Sequence, residues 1–428
     1  MERKRSLVFV CAMVALCAAA PTLLGQEQAQ EQTKRVRERG YFTVRRPAQG
    51  IDMDAIKGEM AKSATLPLWT FDAHSSRDGA SYPGVMVGLD PFNNPGSVSV
   101  PTNVIPLIIK TKTIAVSADT TTGIITTKPG LTTFDPAVAD TACLAAPNNV
   151  PTKLFQESPI LQPATFNFGG TIVGRTEYID AFQRGNFWKA LGSNVSKYHV
   201  LLSPKFLDPI VINVPAVYGT TYTPAFVAAV FGPPPDCGPL GVVDIGWFDN
   251  YVTGTLIPAL AAKGVNPTTF PIFFVHNVVW AEPVTNLFTC CTLGYHGFTG
   301  FPTPTQTYSP LDFESSGFFA SSSGPLLGFY DTAVASHEVG EWMNDPFGIN
   351  PTPLWGHIGQ QPGCQGNLEV GDPLTLTEAP RIVMSNGFTY HLQELAFFYW
   401  FFGAPSISVN GWYSNNGTFL TDAGPPCH

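Results

Sequence analysis

Residues 335–346, ASHEVGEWMNDP, set one His and two Glu within five positions of a chain in which charged residues amount to only 13%. Asp331 can cap a helix, and Pro346 cannot continue one, so the pattern predicts a helix from about 332 to 344. On that helix His337 and Glu341 lie one turn apart on the same face and direct an imidazole nitrogen and a carboxylate oxygen at one point. Glu338 stands beside that face. The spacing is that of the HExxH zinc helix, in which the Glu after the first His is the general base, with the second His replaced by Glu341.

Zinc accepts carboxylate oxygen as well as imidazole, and a catalytic zinc uses three protein ligands and a water. The chemistry is therefore permitted. Replacing an imidazole by a carboxylate hardens the set, so Mn²⁺, Mg²⁺ or Ca²⁺ is discriminated against less strongly than at a two-His site. The third ligand is sought downstream in CQGNLEVGDP (364–373). Glu369 is preferred and Asp372 comes second, as a ligand or as the acceptor that orients His337. Asp345 and His357 are further candidates. The competing reading of the same residues is a solvated polar helix face.

Two other polar groups stand out. Tyr390, His391 and Glu394 fall on one predicted helix within FTYHLQELAFFYWFFG (388–403), and His391 there can donate to a developing oxyanion or line the core. His276, inside the apolar FFVHNVVW, reads as a hydrogen-bonded core histidine. There is no G-x-S-x-G elbow, no phosphate-binding Gly-rich loop and no CxxC pair.

Outward from the helix, 98–116 reads as strand interrupted by Pro101 and Pro106, and FNFGGTIVG (166–174) as a hairpin. A helix is expected over 177–191 and another from about 249 to Gly264, followed by a buried strand over 270–280. NGWYSNNGTF reads as turn and hairpin. The expected class is α+β, a zincin-like helix packed on a mixed, strand-rich scaffold with long loops. One globular domain over 63–428 is expected, with the metal site in its C-terminal half.

Met1–Ala20 has the basic start and short apolar run of a secretory signal, with cleavage expected near Gly25, and charged, Gln-rich 26–62 reads as a linker or pro-segment. The apolar run is too short to span a bilayer, so no stable membrane insertion is expected after its removal. Cys143, Cys237, Cys290, Cys291, Cys364 and Cys427 then form an even set suited to disulfides in a secreted or periplasmic protein. Adjacent Cys290 and Cys291 are expected to bond to distant partners. Of 23 Lys and Arg, 11 lie in residues 1–62, so the body is acidic and no nucleic-acid partner is expected.

SHEVGEWMNDP followed by NLEVGDP resembles a pattern in secreted bacterial and fungal proteins and in the plant Exordium (phosphate-induced) family. There, an HExxE helix ending in Asp or Asn and Pro precedes a Glu-aliphatic-small-Asp segment. The body also resembles secreted bacterial proteins sharing HEVxEW and YHxQELAFF. CCTLGYHGF (290–298) is similar to a further element of the pattern, which makes His296 the counterpart of its His, with roles open among oxyanion stabiliser, metal ligand and buried hydrogen-bonding group. Pro373 stands where Exordium-like chains often carry Cys, and Cys364 precedes the acidic segment, so disulfide pairing is not carried across. The expectation is a secreted zinc-dependent metallopeptidase acting on peptides or proteins. The alternative is a non-catalytic secreted or cell-surface binding protein with a structural metal or none.

Overall fold

One long strand, Ser97–Ala118, organises an α+β fold in the computed structural model. The structure describes residues 65–118, 125–225, 237–282, 284, 291–300, 305–319, 329–358, 364–425 and 427. The expected signal, linker and Cys290 lie outside these residues. Among the described residues the strand belongs to a ten-stranded mixed sheet. Phe270–His276 runs parallel to it, and Gln306–Phe313 runs parallel to Phe270–His276. His199–Phe206 pairs with its first half and Ile210–Asn213 with its second.

Both strand prolines fall where a neighbour is missing. Pro101 pairs with Ser203 just before pairing to Phe270–His276 begins at Thr102, whereas Pro106 pairs with Phe274 between the end of one neighbour at Val104 and the start of the next at Leu107. A residue without an N–H is tolerated at such edges.

The Phe270–His276 strand is buried on both faces, and its side chains alternate between two cores. Phe270, Ile272 and Phe274 enter the larger core, while Phe273 and Val275 enter the smaller. The smaller core is covered by the helical run from Ile245 to Lys263, which stops at Gly264 with φ 100°. Its start is earlier than the expected 249 because Asp244 caps it, accepting the Trp247 N–H at 2.7 Å. The larger core receives the helix Ala333–Asn344, in which Val334, Val339, Trp342 and Met343 are buried. Trp342 stacks on Phe270 with ring centroids 3.6 Å apart and donates its indole N–H to Thr307 at 3.0 Å. Two strands of the sheet thus fix the helix that carries HExxE.

Several expectations are corrected locally. Asp331 is not the capping residue, which is Thr332; Asp331 has φ 33° and its Oδ1 accepts the Thr332 N–H at 2.5 Å. The strand expected over 270–280 breaks at Asn277, φ 52°, into Phe270–His276 and Val278–Ala281. Of the helix expected over 388–403 only Phe398–Phe402 forms. The preceding backbone bonds elsewhere: Ala379 N–H donates to Leu392 O, Ala396 N–H to Val370 O and Phe397 N–H to Tyr413 O. The apolar run over 395–402 has no polar face, so it carries no periodicity that separates helix from buried extended chain. At the start of NGWYSNNGTF (410–419), Val409–Gly411 is a short 3₁₀ turn. Cys143–Cys237 and Cys364–Cys427 are disulfides, and Cys291 is disulfide-bonded too.

Candidate metal centre

Every residue of the helix Ala333–Asn344 is buried, so its polar side chains must find partners inside the protein. His337 Nε2 lies 3.0 Å from Glu341 Oε1 and 3.5 Å from Asp372 Oδ1. The same Glu341 oxygen accepts the N–H groups of Gly371 and Asp372 at 3.1 Å each, which ties the 369–372 loop to the helix. Gly371 makes this approach possible, because a Cβ there would lie 2.4 Å from His337 Nδ1.

Gln393 sets the other side of the imidazole. Its Oε1 is 2.9 Å from His337 Nδ1, and its amide nitrogen donates to Gly371 O at 2.6 Å. With its amide nitrogen so engaged, Gln393 accepts from Nδ1–H, which leaves Nε2 turned towards Glu341 and Asp372.

The segment 291–297 passes over the helix from the opposite side, close enough that a Cβ on Gly294 would meet Val334 at 2.6 Å and Glu338 Cγ at 2.8 Å. It delivers His296. Its Nε2–H donates to Asp345 O at 3.0 Å, so Nδ1 is an acceptor, 3.4 Å from Glu338 Oε2 and 3.9 Å from Glu341 Oε2. Glu369 Oε2 stands 3.9 Å from His296 Nε2, and the other Glu369 oxygen accepts from Asn367 at 2.5 Å. Ligand atoms of His296, Glu341 and Glu369 lie within 4.8 Å of one another, as do those of His337, Glu338 and Glu341.

These five side chains, with Asp372, are no more than 1% exposed. No Lys or Arg pairs with Glu338, Glu341, Asp345 or Glu369 among the described residues. Burial pushes the carboxyls of Glu338 and Glu369 well above the carboxylate range; His337 opposes the shift at Glu338, and Glu341 reinforces it at both. Glu341 is raised by burial against the opposing pull of His337. Burial lowers His296 to about 4 against the Asp345 carbonyl, keeping that ring neutral. Burial disfavours the His337 imidazolium as well, but Glu341 and Asp372 outweigh it and hold that ring well above its ordinary range.

Among the described residues, Glu338 Oε1 and Glu369 Oε2 are buried with no hydrogen-bond partner. A buried carboxylate oxygen with no donor is costly, and a divalent cation among imidazole nitrogens and carboxylate oxygens removes that cost. The residues fit such an ion.

Sequence reasoning placed His337, Glu338, Glu341, Glu369, Asp372 and His296, and the fold brings all six into one buried cluster. Glu369, preferred as third ligand to His337, groups with His296 instead, while Asp372 stands nearer the His337 ring. The acceptor orienting His337 is Gln393, not Asp372. Asp345 uses its carboxylate to accept the Ile349 and Asn350 N–H groups at 2.9 Å, closing the turn after the helix. His357 packs on Trp355 and belongs to neither group. His391 sits at the start of the helix, its Nδ1 2.5 Å from Asp331 Oδ2, and also belongs to neither. His276 is a hydrogen-bonded, buried histidine, 2.7 Å from Ser315 Oγ. Gln393 was missed because its segment read as an aromatic helix.

No family model, no curated protein and no solved structure matches this chain.

Proposed function

We propose that the protein is a secreted or periplasmic metal-dependent hydrolase of zincin-like design, with peptides as its substrate class and zinc as its ion. His337, Glu341 and Asp372 would hold the cation. Zinc so bound supplies a Lewis acid and lowers the pKa of its water. Glu338 would accept the proton and return it to the leaving amine. The observation that carries the reading is Glu338 Oε1, a buried carboxylate oxygen with no partner beside the His337 and Glu341 ligand atoms. Its Oε2 faces the acceptor nitrogen of His296, so it has no internal donor to occupy it. The resemblance to secreted HExxE proteins of the Exordium type supports the same assignment.

A structural cation site is favoured by one observation, the near-complete burial of every candidate ligand, because structural metal sites are closed and catalytic ones keep an exchangeable position. Glu338→Gln separates the two. Under the hydrolase reading it loses at least about 100-fold in peptide turnover, as general-base removal does, while metal content and melting temperature stay near wild type. Peptide turnover undiminished in that variant, or absent in the metal-loaded wild type across a peptide library, leaves only the structural reading.

The disulfides Cys143–Cys237 and Cys364–Cys427 support an oxidising compartment. No helix among the described residues is long and apolar enough to cross a membrane.

A further inference from the structure

We propose that the centre holds two divalent cations, the second bound by His296, Glu341 and Glu369, with Glu341 shared between the two. The proposal rests on reading the cluster as a cation centre and adds a second position to it.

The two oxygens of Glu341 face different histidines. Oε1 lies 3.0 Å from His337 Nε2, and Oε2 lies 3.9 Å from His296 Nδ1. A carboxylate presenting one oxygen to each of two nitrogen ligands is placed to bridge two ions. Its Oε1 is anchored by the Gly371 and Asp372 N–H groups, which holds the carboxylate between the two rings.

Each histidine is oriented from behind. Gln393 takes Nδ1–H of His337, and the Asp345 carbonyl takes Nε2–H of His296, so the remaining nitrogen of each ring faces carboxylates. Such outer hydrogen bonds are what metal-binding histidines use to fix their tautomer. His296 Nδ1 is then an acceptor facing Glu338 Oε2 and Glu341 Oε2, an arrangement of acceptors on acceptors that needs a proton or a cation between them.

One ion does not complete the cluster. An ion held by His337, Glu341 and Asp372, with Glu338 beside it as base, would still leave Glu369 Oε2 without a partner among the described residues, 3.9 Å from His296 Nε2 and fully buried. The two orphaned oxygens are divided between the two groups, one in each. A second ion at His296, Glu341 and Glu369 satisfies the remaining one. The oxygen-rich donors suit Zn²⁺ or Mn²⁺ at both positions.

The test is ion stoichiometry at saturation, measured by elemental analysis of the full chain loaded with zinc or manganese. Wild type is expected to hold two ions per chain and Glu369→Gln and His296→Ala one. His337→Ala is expected to lose the first-position ion. Wild type saturating at one ion, lost in His337→Ala and kept in Glu369→Gln, overturns the second position and leaves the first intact. No ion in wild type overturns both this proposal and the metal centre itself. Should the variants fail to fold, manganese paramagnetic resonance of the wild type decides. An exchange-coupled pair is expected, whereas the six-line spectrum of isolated Mn²⁺ at full loading contradicts the bridge.

Discussion

Glu394 and Glu369 are both fully buried glutamates in the C-terminal quarter, and they are opposites. Glu394 is satisfied by the protein: Oε1 accepts from Ser414 Oγ at 2.5 Å, Asn416 N at 3.2 Å and Thr418 N at 2.9 Å, and Oε2 from Thr418 Oγ1 at 2.5 Å. Among the described residues Glu369 accepts from Asn367 on one oxygen, and its other oxygen has no hydrogen-bond partner and stands 3.9 Å from His296 Nε2. Burial is therefore not what marks a site. What marks it is a donorless buried carboxylate oxygen that converges with imidazole nitrogens and further carboxylates, because the missing partner is then something the chain binds. Glu394 locks a loop, and Glu369 belongs to a centre.

The strongest way to break this contrast is to remove the ion. Chelation should destabilise the wild type by about 4 kcal/mol at an ion concentration near 1,000 times Kd, and should leave His337→Ala, already without its first ion, much less affected. Urea unfolding with and without chelator checks it, and equal effects on both proteins would contradict it. Next in size is Glu394→Ala, which strips four donors of their acceptor and should cost about 3 kcal/mol with metal content unchanged. A change in bound metal there would place Glu394 inside the centre.

Gln393→Leu sharpens the comparison more finely, since it removes the group that orients His337 without touching a ligand. Metal affinity should fall about 10- to 100-fold, and Gln393→Glu, which keeps an acceptor, should recover part of it. Isothermal titration with zinc reads both, and wild-type affinity in Gln393→Leu would remove Gln393 from the account.

The smallest expected effect lies away from the centre. Burial raises Glu177 to about 8, against the Leu202 N–H bond, and Glu314 to about 7, against the Ser316 hydroxyl. Both hold protons in the folded chain that the unfolded chain releases near 4.5. Stability from these groups is present in acid and lost as pH rises through about 8. Glu177→Gln in chelated protein should flatten the decline between about pH 5 and 8 by on the order of 1–2 kcal/mol. An unchanged slope would contradict the assignment.

The helix was legible because its ends and spacing are local: Pro346 stops it, and i,i+4 places His337 with Glu341. The strands over 97–118 and 270–276 were legible from their β-branched and aromatic runs. The convergence of His296, Glu369 and Asp372 on that helix depends on sheet register and on close backbone approach at Gly294 and Gly371, which no spacing encodes. His296 was reachable only through a resemblance. Gln393 was hidden because the wholly apolar LAFFYWFF that follows it (395–402) lacks the period that separates helix from extended chain, so the helix was drawn back over 388–394. Its side chain acts from extended backbone, where residues 388–397 follow other segments instead of one another.

The central claim is that the His296, His337, Glu338, Glu341 and Glu369 cluster exists to hold a cation. Elemental analysis of the purified chain, wild type beside His337→Ala and Glu394→Gln, tests it most directly. The account predicts near-stoichiometric or greater divalent metal in wild type and Glu394→Gln and a marked loss in His337→Ala. Wild-type protein that stays free of metal after reconstitution with zinc, manganese and calcium would contradict it.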